Sequence, residues 1–286
     1  MQFPIHHSEA KSILSSTSGF IAQAGFTHSL TPARNCTFGC TYCYVPTMGV
    51  YGGLKREDWT RWGQMTTFKT NAAALLGKSL KPHQIIYCSP LVDPYQPAEE
   101  TEEMMPAVLD AAIASPPRVF AIQTRAPLVL RDLDRLRTLS SLTTLRVGFS
   151  ITTNDERVRR LYEPHCAPFE SRLDAVRRLR EAGISVVATL APVLPCDPEA
   201  LVRAAIDATG CDLIGDPFHV RATKSSGATT RDAGFRISRK NGYEHWHDPV
   251  FQASLTLRMQ ETARAAGRRF TIGPEAFATL AQPLRT

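Results

Sequence analysis

Cys36, Cys40 and Cys43 stand in the run Asn35-Cys36-Thr37-Phe38-Gly39-Cys40-Thr41-Tyr42-Cys43-Tyr44, three thiols on one short stretch of chain. Soft thiolates at this spacing suit an iron–sulfur cluster or zinc, and three are one fewer than a closed four-ligand site requires. On a cluster, the missing ligand leaves one iron open to a substrate or cofactor. With 7 Cys among 286 residues, composition alone yields such a triplet about 0.004 times in a chain of this length. The odd count argues against a disulfide framework. Cys166, Cys196 and Cys211 are too widely spaced for a second compact ligand pattern. His245-Trp246-His247 could offer a metal or base contact, but reads more simply as packed aromatic residues.

A second chemical signal is charge. Arg221, Lys224, Arg231, Arg236, Arg239 and Lys240 face only Asp232 in the same stretch, which carries +5 of the chain's net +6. Two readings stand side by side: a solvated loop, or a phosphate-tracking arm for nucleic acid or a nucleotide.

Composition is that of an ordinary globular chain, 43% hydrophobic and 21% charged, without repeats or low-complexity tracts. No run approaches the ~20 apolar residues of a membrane span. Residues Met1 to Ser18 carry His6, His7 and Lys11 but no apolar core, so no signal peptide is expected. A cytoplasmic setting suits free thiols and a reduced cluster.

The elements that must hold these groups alternate in type. Strands are predicted at Phe26–Leu30, 84–88, 118–124, 145–151, 184–190 and 211–214. Helices are predicted near 98–114, 129–139, 154–162, 169–182 and 198–208. Strands spaced by helices of this length imply a parallel sheet. Six β/α units fall short of the eight of a closed barrel, so the expected fold class is α/β, a partial (β/α)6 TIM-like barrel. Residues 1–220 would form this core, with the cysteine loop 35–44 at the mouth. Residues 221–286 would be a basic C-terminal appendage with a helix near 250–266, available for substrate binding.

In such folds the chemistry lies at the carboxyl ends of strands. Those ends here read Cys88-Ser89-Pro90-Leu91-Val92-Asp93-Pro94-Tyr95-Gln96-Pro97, Thr124-Arg125-Ala126-Pro127 and Ser150-Ile151-Thr152-Thr153-Asn154. Taken with the cysteine loop, Glu163-Pro164 and the helix ending Arg178-Leu179-Arg180-Glu181-Ala182-Gly183-Ile184, they resemble the spore photoproduct lyase-like group of radical S-adenosylmethionine (SAM) proteins. The resemblance covers about residues 26–196.

The resemblance implies a [4Fe–4S] cluster on Cys36, Cys40 and Cys43, with SAM on the fourth iron. One-electron reduction, from a donor such as flavodoxin or ferredoxin, cleaves SAM to a 5′-deoxyadenosyl radical that abstracts hydrogen from substrate. By position Tyr42 would lie against the adenine, Ser89 and Asp93 at the methionine end, Arg125 on the carboxylate and Ser150 on the ribose. Cys88 matches the place of a hydrogen-atom donor; its alternative is a small buried residue of the strand. The substrate expected from the resemblance and the basic stretch is a nucleic acid or nucleotide-like molecule. A small-molecule lyase, epimerase or reductive step is the alternative. A rival of another class is a zinc-binding nucleic-acid module, with His28 or Cys88 as fourth ligand.

Overall fold

The structure, a computed structural model, describes residues 3–49, 53–219 and 231–283. Its strands are β1 Ile5–Ser8, β2 Leu14–Ser16, β3 His28–Leu30, β4 Ala33–Arg34, β5 Thr66–Lys69, β6 Ile85–Cys88, β7 Val119–Thr124, β8 Thr144–Ser150, β9 Val186–Leu190, β10 Leu213–Gly215 and β11 Phe270–Ile272. The main sheet has the order β11-β10-β9-β8-β7-β6-β3-β2. All its pairings are parallel except β2 with β3. The six expected strands are thus β3 and β6 to β10, in an open parallel barrel. A small second sheet, β1-β5-β4, packs beside it.

The central strands are buried on both faces, which is why they read as apolar runs. Val186 to Leu190 are all buried, as are all but Gln123 in β7. The outward face takes Ile86, Cys88, Phe120, Ile122, Val147 and Phe149 into the layer beneath the helices. The concave face carries Tyr87, Ala121, Val187 and Ile214.

Helix limits follow from capping. Asp197 accepts Ala200 N–H at 3.0 Å and Pro198 opens the helix Pro198–Thr209, which ends on Gly210 at φ 67°. The helix expected at 98–114 is instead two, Glu99–Glu102 and Met104–Ala114, parted by Glu103 at φ 53°. An unbroken helix would place Pro106 in its interior, against the carbonyl four residues back. The break moves it into a first turn, where Glu99 accepts the Met104 and Met105 N–H groups at 3.1 and 2.8 Å.

The C-terminal residues do not form an appendage. β11 extends the main sheet in parallel register, Phe270 opposite Leu213. The helix Gly273–Ala281 then enters the concave face, where Ala276, Leu280 and Ala281 pack on Tyr87, Ala121 and Val187. Gly148 in β8 shows how tightly: a Cβ there would lie 2.2 Å from Gln123 Oε1 and 3.2 Å from Leu280 Cδ1. An open barrel leaves its inner apolar face unpaired, and this helix covers it. Arg221 and Lys224 of the basic stretch lie outside the described residues. Among the described residues no helix is long and apolar enough to cross a membrane.

Candidate active site

With its base filled by that helix, the half-barrel keeps a cavity of about 1000 Å³ at the carboxyl ends of its strands. Its walls bring together Cys36, Cys40 and Cys43 with Tyr42, Ser89, Asp93, Arg125 and Ser150. These are all of the sequence-predicted site residues except Cys88.

The cysteine loop does not follow β3 directly. The chain first makes the short strand β4, which pairs with β5 and turns the loop back over the barrel mouth. Three clamps then fix it. Asn35, at φ 63°, accepts Cys36 N–H at 2.8 Å and Gly63 N–H at 3.0 Å, and donates to the Asp58 carbonyl at 3.0 Å. Gln96 Oε1 accepts the Thr37 N–H at 2.7 Å, and Thr41 N–H donates to the Tyr162 carbonyl at 2.9 Å. Gly39, also left-handed at φ 61°, passes so close to Gly63 that a Cβ on Gly63 would lie 2.5 Å from its Cα.

Cys36 and Cys40 are buried and Cys43 half-buried. Burial, then Asp93, push the Cys36 thiol far up; burial, then Cys40, push Cys43 up to about 12. Cys40 moves down, chiefly through a hydrogen bond from Cys166, with Arg125 helping. Buried thiols that resist ionisation alone become thiolates where a metal meets their charge. A soft three-thiolate donor set on a rigid loop, opening onto a cavity, fits an iron–sulfur cluster. The fourth ligands expected for a zinc site do not stand beside it. His28 hydrogen-bonds Thr27 at 2.9 Å and neither it nor Cys88 lines the cavity.

Behind the loop lies a charge network that the sequence reading missed. Glu163, fully buried, accepts Tyr42 Oη–H at 2.6 Å, Arg125 Nη1–H at 2.6 Å and Thr152 Oγ1–H at 2.7 Å on one oxygen. Arg172 Nη2 stands 2.9 Å from the other, close as an ion pair though off the hydrogen-bonding direction. Burial alone would raise this carboxyl, but Arg172 and Arg125 overcome it and hold Glu163 at about 2. Glu163-Pro164 was visible as a motif; its role was not.

The network sets what the expected cofactor residues can do. Arg125 spends Nη1 on Tyr42 and Glu163, and its Nε and Nη2 have no partner among the described residues. Tyr42 is held by its hydroxyl, its ring edge-on to Phe218 at 6.1 Å. Asp93 is pinned on both oxygens, by Tyr95 N–H at 2.9 Å, Thr124 Oγ1–H at 2.7 Å and Arg125 N–H at 2.8 Å. It therefore ties the end of β6 to the end of β7. Ser150 Oγ accepts from Gln123 Nε2 at 3.0 Å and meets Thr189 at 3.2 Å. Ser89 Oγ faces Thr31 Oγ1 at 3.3 Å.

Cys88 requires correction. Successive side chains of a strand alternate faces. In β6 Tyr87 takes the cavity side, so Cys88, 0% exposed, points into the helix layer with Ile86 and Ile122. Burial, then Asp93, raise its thiol. The expected hydrogen-atom donor is a packing residue here.

Three other readings are settled by the packing. Among the described residues, the three-donor group within 4.8 Å is Cys40, Glu163 and Cys166; it places Cys166 beside a candidate cluster ligand rather than in a second cluster. His247 is buried, joining the Phe218 carbonyl at 2.9 Å and Ser238 at 2.7 Å. Arg231, from the basic stretch, donates its N–H to the Tyr42 carbonyl and its Nε–H to the Thr41 carbonyl, each at 3.2 Å. That residue seals the cysteine loop. Arg236, Arg239 and Lys240 remain exposed on the helix Asp232–Asn241.

The radical SAM superfamily model matches residues 30–207. An uncharacterized protein of Methanocaldococcus jannaschii is 30% identical over 161 residues, 56% of this chain and 58% of that protein. The matched region spans only about half of the curated relatives' own length, 58% and 50% in two of them. A spore photoproduct lyase variant superposes with TM-score 0.63 at 14% identity, covering 94% of this chain and 81% of its own. Another variant of that enzyme, with bound AdoMet and dinucleoside spore photoproduct, gives TM-score 0.62 at 14% identity over 94% and 81%. At these identities the likeness establishes the shared fold.

Proposed function

Since the chain belongs to the radical SAM superfamily, we propose that it is an enzyme holding a [4Fe–4S] cluster on Cys36, Cys40 and Cys43 and acting on a nucleic-acid or nucleotide-like substrate. When bound, the cluster and SAM supply one electron to the sulfonium and a 5′-deoxyadenosyl radical that takes hydrogen from substrate.

The protein's own residues do the positioning. The free edge of Arg125 offers a planar fork to the methionine carboxylate. Glu163 fixes that fork and the Tyr42 ring in one orientation, so no side-chain entropy is lost there on binding. Asp93 keeps the β6 and β7 ends at fixed spacing, and Ser150 presents a hydroxyl at the ribose. The 1000 Å³ cavity has room for a second ligand beside the cofactor.

The observation that carries the reading is the cysteine loop, clamped at the strand ends over a cavity that also holds Arg125 and Asp93. The nucleotide part is supported by the dinucleoside bound in a protein of this fold and by exposed Arg236, Arg239 and Lys240.

The test is anaerobic. Protein reconstituted with iron and sulfide is reduced with dithionite and given SAM, with and without UV-irradiated oligonucleotide, and 5′-deoxyadenosine is quantified. Formation in the wild type but not in Cys40→Ala supports the cofactor reading. Stimulation by the oligonucleotide supports the substrate class, and indifference to it redirects the search to small metabolites. Absence of cleavage in an iron-loaded protein overturns the proposal.

A further inference from the structure

Lys69 closes β5 and lines the cavity on the flank where the barrel stays open. Its Nζ donates to the Thr31 carbonyl at 2.7 Å and has no carboxylate partner among the described residues. An ammonium carries three donors, so two remain for a ligand. Its neighbours in the cavity wall are balanced: Arg34 pairs with Asp58 at 3.1 Å, and Arg125 with Glu163 at 2.6 Å.

A half-buried ammonium without a counter-charge is costly. Burial, with Arg34 nearby, lowers Lys69 to about 8, the direction an anionic ligand would reverse. The groups around it are hydroxyls. Thr31 and Ser89 face each other at 3.3 Å, and Ser15 and Ser29 line the same wall.

We propose that Lys69, with the Thr31–Ser89 hydroxyl pair, binds a phosphate group of the substrate, which moves Ser89 from the methionine end expected of it to the substrate side. This rests on the nucleotide-like substrate class proposed above. The geometry separates this cation from the cofactor end. Thr31 follows β3 and Arg125 follows β7, two strands apart and roughly 10 Å at ordinary inter-strand spacing. The chemistry separates them too. A guanidinium fork matches a planar carboxylate, whereas a point-charge ammonium among hydroxyls suits a tetrahedral phosphate. Arg125 supplies the one and Lys69 the other.

The experiment is calorimetric titration of the cluster-loaded protein with thymidine, thymidine 5′-monophosphate and SAM. A pyrimidine avoids competition for an adenosyl site. The wild type is expected to bind the monophosphate about tenfold more tightly than the nucleoside, the effect of one charge-assisted contact set. Lys69→Gln should erase that preference while SAM affinity stays. Should that variant not fold, Thr31→Val keeps the carbonyl and removes the hydroxyl, and should weaken the monophosphate severalfold. A preference that survives Lys69→Gln, or is absent from the wild type, overturns the inference. So does a parallel loss of SAM affinity, which would put Lys69 on the methionine carboxylate. Wild type that discriminates the phosphate yet forms no 5′-deoxyadenosine would sink the radical SAM reading and leave this one standing.

Discussion

Arg125 Nη1 and Glu163 Oε1 meet at 2.6 Å behind Tyr42, and Glu163 is buried completely. The pair joins the end of β7 to the segment after the helix Glu156–Tyr162, and carries the tyrosine of the cysteine loop with it. Removing one partner of such a group strands the other charges. Glu163→Gln should cost about 3–5 kcal/mol and lower Tm by roughly 2 °C per kcal/mol. Because Arg172 is 0% exposed, adding Arg172→Met to Glu163→Gln should recover part of that loss. Thermal unfolding of the single and double variants decides it. A double variant no more stable than the single one would show that the two do not act as a charge pair.

The same carboxylate makes a pH prediction. Its folded value, about 2, lies below the ordinary 4.5, so its contribution is complete above pH 4.5 and is lost as pH falls toward 2. The shift corresponds to about 3 kcal/mol. Urea midpoints of wild type and Glu163→Gln should differ most at pH 6–7 and converge on acidification. A gap unchanged down to pH 3 would mean the carboxylate does not titrate as the geometry requires.

Gly63 is the backbone stop of the cysteine loop. Gly63→Ala sets a Cβ 2.5 Å from Gly39 Cα at a residue whose φ is +84°, and neither backbone can step aside. Gly242→Ala, at φ +76° with nothing within 4 Å, suffers the conformational strain without the clash. Gly242→Ala should lose about 1 kcal/mol of stability and Gly63→Ala more, and only Gly63→Ala should fail to take up iron on reconstitution. Equal iron content in the two would mean the Gly39–Gly63 contact does not shape the site.

The main barrel strands were legible because each is a short apolar run between helical patterns, a signal contained in its own residues. β1, β4 and β5 were not. They are two to four residues long and read Ile-His-His-Ser, Ala-Arg and Thr-Thr-Phe-Lys, so pairing rather than propensity makes them strands. β11 has three residues and follows a basic helix end, which hid both it and the helix that fills the barrel. The cysteines were legible from spacing alone. Glu163 was not, since its partners lie 38 and 121 residues away in sequence and its importance is a matter of charge balance in three dimensions. Cys88 was placed at its strand end correctly, but which face it takes was not legible, and a shift of one position reverses the face.

That face reversal can be tested directly. With its thiol in the helix layer, 0% exposed and absent from the cavity wall, Cys88 cannot hand a hydrogen atom to a bound radical. Cys88→Ala should lower stability by about 1 kcal/mol, the usual cost of deleting a small buried group, while 5′-deoxyadenosine yield and the product profile stay as in wild type. Serine is the sharper probe. Cys88→Ser puts a hydroxyl among Ile86, Phe120 and Ile122 and should cost more than alanine, because a polar group is then taken from water into an apolar layer. A solvent- or ligand-facing cysteine would show the opposite order, with serine the milder change. An altered product from Cys88→Ala would return the thiol to the cavity and require β6 to present its other face.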